Sequence, residues 1–156
     1  MAQLRGADVL ARALAGAGVR HLFSLSGNQI MPVYDAALEA RLSILHVRHE
    51  GAAVHMADAW GRLTGEPGVA LLTGGPGHAN GVGALYTALA AESPMVMLSG
   101  HAPLAELGRG AFQEMAHARA RERAGEDVRS SQLRHRRRPR CAPGAERRLR
   151  PTRRAA

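Results

Sequence analysis

Short apolar segments alternate with helical segments four times along residues 4–100. The segment Val69-Ala70-Leu71-Leu72 is apolar at every position, so a strand formed by it is buried on both faces. Strands of this kind are typical of a parallel sheet that is covered by helices on both sides. The sequence therefore predicts an α/β fold with a doubly wound parallel sheet. The predicted strands cover residues 21–25, 44–49, 69–73 and 95–99, and the predicted helices cover residues 4–17, 29–40, 51–64 and 79–91.

The positive charge of the chain is concentrated near its C-terminus. Residues 1–116 contain seven Arg and nine acidic residues, a net charge of −2, whereas residues 117–156 contain fourteen Arg and four acidic residues, a net charge of +10. The larger aliphatic residues of this second segment are only Val128, Leu133 and Leu149, too few to offset the entropy lost on folding. We predict a folded domain over residues 1–116 and a disordered, Arg-rich tail over residues 117–156.

The cysteine content and the distribution of apolar residues indicate a cellular location. Cys141 is the single cysteine, which excludes a disulfide framework within one chain and fits a reducing compartment. The N-terminus lacks a basic segment followed by an apolar run, and no apolar run is long enough to cross a bilayer. We therefore expect a cytoplasmic protein with no membrane partner.

Two sequence elements bring polar chemistry to the same edge of the predicted sheet. Glu50 follows the strand predicted over residues 44–49, and the glycine-rich turn Thr73-Gly74-Gly75-Pro76-Gly77 follows the next strand. Ligands of open α/β sheets bind at the carboxyl ends of the strands. A carboxylate and a glycine-rich turn at this edge predict a cofactor cleft.

Each of these elements also has a purely structural interpretation. Glu50 could serve only as an acidic residue at the N-terminus of a helix, where the helix dipole favours it. The glycines could serve only to shape a tight turn, and they do not form the dinucleotide motif Gly-x-Gly-x-x-Gly because position 80 is Asn. His46, His49 and His55 are close in sequence, but 46 and 49 would face opposite sides of a strand, so we predict no metal site.

Five segments stand in an order and at a spacing that match a known family. They are Gly18-Val19-Arg20-His21-Leu22-Phe23, Arg48-His49-Glu50-Gly51-Ala52-Ala53, Thr73-Gly74-Gly75-Pro76-Gly77-His78-Ala79-Asn80, Ser93-Pro94-Met95-Val96 and Ala111-Phe112-Gln113-Glu114. With them, the chain resembles the N-terminal pyrimidine-binding domain of thiamine-diphosphate-dependent enzymes. The resemblance extends from Leu4 to about Met115. Its closest group is the branch of acetolactate synthase, benzoylformate decarboxylase and oxalyl-CoA decarboxylase.

The resemblance implies a cofactor and roles for particular residues. In that family, the glutamate of the Arg-His-Glu motif contacts N1′ of the aminopyrimidine ring of thiamine diphosphate, which helps the thiazolium C2 to lose its proton. By position, this catalytic role falls on Glu50. Gln113 would lie near the reacting C2. The residues implied to line the pyrimidine ring are Ser26, Gly27, Asn28, Pro76, Gly77 and Asn80.

The resemblance also implies that these 156 residues form only part of an active site. The family binds the diphosphate and Mg²⁺ through a separate domain with a Gly-Asp-Gly motif, which this sequence does not contain. Complete sites lie between a pyrimidine domain and a diphosphate domain, so we expect a homo-oligomer or a diphosphate-domain partner. The complete enzyme would act on a 2-oxo acid or an acyl-CoA, and the isolated chain would be inactive. Ser26-Gly27-Asn28 stands where many relatives carry Pro-Gly-Gly, which leaves the substrate class open.

The tail separates three interpretations of the chain. Family domains continue beyond Phe-Gln-Glu with further strands and helices, whereas GC-rich DNA read out of frame yields an Arg-rich tail of this kind. Our leading hypothesis is therefore a fragment, frameshifted or truncated after about residue 116. The alternatives are a stand-alone pyrimidine subunit of a two-chain decarboxylase, and a basic nucleic-acid-binding protein that acts through its tail.

We predict that the full chain binds polyanions without sequence preference. The tail has Arg to contact phosphates but no aromatic residue for base stacking. Fluorescence anisotropy with a labelled DNA fragment should show binding that weakens steeply as salt is added. Binding that ignores salt, or that survives deletion of residues 117–156, would contradict this prediction.

Overall fold

The computed structural model describes residues 4–117 and shows a parallel four-stranded sheet with flanking helices. The predicted α/β fold is confirmed. The tail predicted over residues 117–156 lies outside the described residues, apart from His117. The strands are β1 (His21–Ser24), β2 (Ser43–His46), β3 (Gly68–Leu72) and β4 (Met95–Ser99), and the helices are α1 (Gly6–Gly16), α2 (Met31–Glu39), α3 (Glu50–Thr64) and α4 (Pro76–Ala90), with 3₁₀ turns at Asn28–Ile30 and Leu104–Glu106.

The strand order places a crevice at the centre of the sheet. The order is β2-β1-β3-β4, and Phe23 of β1 pairs with Leu45 on one side and Ala70 on the other. The chain runs from β1 to β2 in one direction and then returns past β1 to β3, so the order reverses between β1 and β3. In open α/β sheets, this reversal is where ligands bind, at the carboxyl ends of the two strands.

The core has two parts, one on each face of the sheet. All five residues of β3 are buried. Val69 and Leu71 belong to the cluster that packs against α1 and α2, whereas Ala70 and Leu72 belong to the cluster that packs against α3 and α4. The alternation follows from the two-residue period of a strand, and it explains why the sequence of β3 is apolar throughout.

Helices α3 and α4 begin at earlier residues than the sequence predicts, and the strand before α3 ends earlier as well. The predicted strand 44–49 ends at His46, and α3 begins at Glu50 because Nδ1 of His49 accepts a hydrogen bond from the Gly51 N–H at 3.0 Å, capping the helix. The predicted helix 79–91 begins at Pro76, which suits a first helical position because its missing N–H costs nothing there. Glu50, Pro76 and Gly77 therefore belong to helix N-termini, while residues 73–75 connect the end of β3 to α4.

Glycines allow α3 to approach the sheet closely. A β carbon on Gly61 would overlap the carbonyl oxygen of Pro94, and one on Gly68 of β3 would overlap the backbone of Ala57. Both neighbours are backbone atoms, which cannot turn away as a side chain can. These contacts fix the height of α3 above the sheet, and with it the position of Glu50.

Within residues 4–117, no helix has both the length and the apolar character needed to cross a membrane.

We predict that Gly61→Ala destabilises the domain, whereas Gly83→Ala stabilises it. Alanine at 61 must push α3 away from Pro94, at a cost of about 1–3 kcal/mol. Gly83 lies on the exposed side of α4, and nothing lies within 4 Å of the position that a β carbon would take, so alanine there should gain about 0.5–1 kcal/mol of helix propensity. Urea unfolding measures both free energies, and equal effects of the two substitutions would rule out the close approach.

Candidate functional site

Glu50 is a buried carboxylate, and one of its two oxygens accepts a hydrogen bond from another side chain. It is the first residue of α3, and only 8% of its surface is exposed. The side-chain amide of Asn80, on α4, donates a hydrogen bond from Nδ2 to Oε2 of Glu50 at 2.9 Å. No other hydrogen bond to this carboxylate occurs within residues 4–117. Oε1 thus keeps its hydrogen-bonding capacity while Asn80 fixes the orientation of the carboxyl group.

Gly77 lets the second carboxylate oxygen, Oε1, lie close to the backbone of α4. It lies in the first turn of α4, directly after Pro76. A β carbon on Gly77 would lie 3.0 Å from Oε1 of Glu50 and 2.5 Å from Cγ2 of Thr73. Any larger residue at position 77 would displace one of these two side chains. The glycine therefore lets the N-termini of α3 and α4 meet around the carboxylate.

The turn after β1 packs against the residue that follows β3. A β carbon on Gly27 would overlap the side chain of Thr73, although the backbone of Gly27 is extended and suits any residue. Oγ1 of Thr73 donates a hydrogen bond to Oε1 of Gln29 at 2.6 Å. The two strand ends that flank the crevice are thus held together by a glycine contact and a side-chain hydrogen bond.

Ser26 and Asn28 border this turn and are exposed. Oγ of Ser26 lies 3.4 Å from Nε2 of His46 at the end of β2, and Asn28 begins the 3₁₀ turn that leads into α2. Neither residue hydrogen-bonds to Glu50 or Asn80 within the described part of the chain. They lie at the rim of the crevice, at a distance from the carboxylate network.

Gln113 lies against the glycine-rich turn. Its φ of 60° is in the left-handed region, which non-glycine residues rarely adopt, and such strain concentrates at functional sites. A β carbon on Gly75 would lie 2.7 Å from the carbonyl oxygen of Gln113, and Gly75 itself has a φ of 56°, which favours glycine. Nε2 of Gln29 also lies 3.4 Å from the carbonyl oxygen of Phe112. The segment around Gln113 therefore covers the turn between β3 and α4.

Three residues of the site have no role in the sequence-based prediction. Thr73 opens the quoted segment 73–80, and Gln29 directly follows the turn Ser26-Gly27-Asn28, so a polar residue close to a strand end is the available signal for both. His117 accepts a hydrogen bond at Nε2 from the Gly75 N–H at 2.9 Å. No local pattern reveals this contact, because its partner is a backbone group 42 residues earlier in the chain.

The histidines near Glu50 are dispersed. His49 caps α3 instead of lying on β2, so the opposite-face argument made from the sequence does not apply to it. His55 is exposed on α3, and His46 lies at the end of β2. Among residues 4–117, no three His, Cys, Asp or Glu side chains are placed to hold a metal ion.

Comparison with known proteins identifies the family. A sequence model described as "Thiamine pyrophosphate enzyme, N-terminal TPP binding domain" matches residues 4–120. The chain belongs to this family. The resemblance of its motifs to this family is thus confirmed.

Proteins similar to this chain include two acetolactate synthases and an acyl-CoA lyase. The chain is 44% identical over 116 residues to acetolactate synthase isozyme 3 large subunit of Escherichia coli, which covers 73% of this chain and 20% of that protein. It is 39% identical over 109 residues to acetolactate synthase large subunit IlvG of Mycobacterium tuberculosis, covering 70% and 20%. It is 44% identical over 110 residues to 2-hydroxyacyl-CoA lyase 2 of Xenopus laevis, covering 70% and 17%. The chain spans about a fifth of the length of these relatives.

We predict energetic coupling between Glu50 and Asn80. Removing Asn80 leaves the buried Glu50 carboxylate without its donor, whereas removing Glu50 leaves an exposed amide that water can satisfy. A hydrogen bond to a charged group contributes about 1.5–3 kcal/mol. A double-mutant cycle with Glu50→Ala and Asn80→Ala, measured by urea unfolding, should therefore depart from additivity by at least about 0.5 kcal/mol.

The control cycle pairs Glu50→Ala with Asn28→Ala, because Asn28 is an exposed amide without a bond to Glu50. Its effects should be additive. Additive effects in the Glu50–Asn80 cycle as well would show that the hydrogen bond contributes nothing.

Proposed function

We propose that this domain is the half-site that holds the aminopyrimidine ring of thiamine diphosphate in an enzyme like acetolactate synthase or a 2-oxo acid decarboxylase. The observation that carries the proposal is Glu50. Its carboxylate is buried at the crevice between β1 and β3. Asn80 orients it through Oε2, while Oε1 lies against Gly77 and accepts no hydrogen bond within residues 4–117. A carboxylate in this arrangement can hydrogen-bond to a ring nitrogen and share a proton with it.

The residues around the crevice fit the cofactor that family membership implies. Gly27 and Gly77 let the side chains of Thr73 and Glu50 pack directly against the backbone, which brings the carboxylate to the crevice. Glu50 would hold the ring at N1′, and Asn80 would keep the carboxyl group in place. When bound, thiamine diphosphate supplies an electron sink for cleavage of a carbon–carbon bond.

Burial of the Glu50 carboxylate would strengthen its hydrogen bond to the ring. Water competes poorly for hydrogen bonds at a group that is almost enclosed, so a bond between Glu50 and a ring nitrogen would be stronger than in solvent. The Asn80 amide holds one carboxylate oxygen as an acceptor, so the proton that Glu50 shares would reside on the other oxygen. The chain's own contribution is therefore orientation and one proton position.

We propose that the chain needs a diphosphate-binding domain to complete the site, and that Mg²⁺ binds through that domain. Its 156 residues contain no Gly-Asp-Gly motif, and the named relatives are about five times as long as the matched region. The domain would come from a second copy of the complete enzyme or from a separate subunit. The substrate of that enzyme would be a 2-oxo acid or an acyl-CoA, because the relatives include acetolactate synthases and an acyl-CoA lyase. The single cysteine supports a cytoplasmic location.

The first test follows binding of the pyrimidine fragment to the isolated chain. Titration with 4-amino-2,5-dimethylpyrimidine, monitored by ¹H–¹⁵N NMR, should shift the Asn80 side-chain amide and the Gly77 amide at millimolar concentrations. Glu50→Gln should weaken this binding about tenfold or more, because it removes the charge that a shared proton requires. Glu39→Gln, on the exposed side of α2, is the matched control and should leave binding unchanged. Shifts that are the same in Glu50→Gln and the unsubstituted chain would contradict the assigned role.

The second test concerns turnover. With pyruvate, thiamine diphosphate and Mg²⁺, the isolated chain should release no carbon dioxide above background, because nothing in it is proposed to hold the diphosphate. Robust decarboxylation by the pure chain would overturn the half-site proposal while leaving the pyrimidine site intact.

A further inference from the structure

Three imidazole rings contact one another beside the glycine-rich turn, and none of them hydrogen-bonds to Glu50 or Asn80 among the interactions described for residues 4–117. The ring of His117 lies over that of His78 with centroids 4.3 Å apart and an interplanar angle of 28°, and the ring of His101 meets His117 edge-on at 4.5 Å. His78 belongs to α4 and is buried, whereas His101 follows β4. The three rings thus join a helix, a strand end and the segment that carries Gln113.

Hydrogen bonds show whether the Nε2 atoms of His101 and His117 carry a proton. Nε2 of His117 accepts from the Gly75 N–H at 2.9 Å, so that nitrogen carries no proton. Nε2 of His101 lies 3.1 Å from the carbonyl oxygen of Met115, which can only accept, so His101 donates there. Nδ1 of His78 lies 2.8 Å from Oγ of Ser99. The arrangement is complete only while the His117 ring is neutral.

The contact of His117 acts on the residue that packs against Gln113. Gly75 meets the carbonyl oxygen and the α and β carbons of Gln113, and both residues have positive φ angles. A segment with a left-handed non-glycine residue persists only where its surroundings hold it. The His101–Met115 and Gly75–His117 hydrogen bonds anchor the chain two and four residues after Gln113 and supply that restraint.

We propose that His117 is a positioning residue, whose neutral imidazole holds the Gln113 segment against the glycine-rich turn and releases it on protonation. The inference concerns the chain without a ligand and does not depend on cofactor binding. It assigns to His117 the task of keeping Gln113 at the crevice, and it makes closure of this segment sensitive to acid.

The electrostatic surroundings of His117 support this role. Burial, together with the smaller repulsion from positive charge on His78 and His101, lowers the pKa of His117 from 6.5 to about 4. The other charged group of the segment, Glu114, accepts hydrogen bonds from the N–H groups of Gly108 and Ala111, which lower its pKa and keep it ionised near His101. His117 is therefore neutral at physiological pH.

The sign of the pH effect follows from this depressed pKa. Between pH 6.5 and about 4 the unfolded chain takes up a proton at His117 and the folded chain does not. The contribution of the Gly75–His117 hydrogen bond to the stability of the domain is thus complete above pH 6.5 and declines as the pH falls. Release of the segment in the folded protein follows at about pH 4, where the ring itself is protonated.

The test uses NMR on the full chain. The His117 ring should titrate with a midpoint at about pH 4, and the protection of the Gly75 amide against hydrogen exchange should fall with the same midpoint. The amide of Ala70 in β3 reports on global unfolding and should stay protected over that range. At neutral pH, His117→Ala should lower Gly75 protection about tenfold and increase the mobility of the Gln113 amide.

The matched control is His55→Ala, which removes an exposed histidine of α3 and should change neither reporter. The titration of the unsubstituted chain tests the proposal even where a variant folds poorly. A His117 ring that titrates near pH 6.5, a Gly75 amide that does not follow it, or unchanged Gly75 protection in His117→Ala would each overturn the proposal.

Discussion

The candidate site depends on how closely backbone segments approach one another at the carboxyl ends of β1 and β3. Gly27 meets Thr73 across the crevice, and Gly77 meets both Thr73 and Glu50. At each of these positions, a β carbon would displace a side chain of the site. Because the strand order reverses between β1 and β3, the helices that follow these strands, α2 and α4, pack on opposite faces of the sheet, and the glycines bring the carboxylate to the crevice between them.

This close approach also explains why a buried carboxylate is tolerated. Glu50 lies at the N-terminus of α3, where the helix dipole favours a negative charge, and it accepts a hydrogen bond from Asn80 of α4. Glu50 therefore does act as an acidic residue at the start of a helix, as the structural interpretation holds. The dipole does not account for its burial or for the amide partner on a second helix.

The sequence was sufficient for the fold because its strongest signals are local and repeated. The apolar run of β3 has one requirement, burial on both faces, and the two core clusters satisfy it. Helix starts were less predictable, because Pro76 and the His49 cap extend α4 and α3 by contacts that strand and helix periodicity does not encode. The contact between His117 and Gly75 was beyond sequence reasoning, since it joins a side chain to a distant backbone amide.

The account rests on Glu50 as the proton partner of a pyrimidine ring. The most direct measurement is a crystal structure of the protein assembled with a diphosphate-binding domain, Mg²⁺ and thiamine diphosphate. The account predicts that a carboxylate oxygen of Glu50 lies at hydrogen-bonding distance, about 2.6–3.2 Å, from N1′ of the ring while the other keeps its bond to Asn80. A ring bound elsewhere, or a Glu50 carboxylate turned to solvent in that complex, would contradict it.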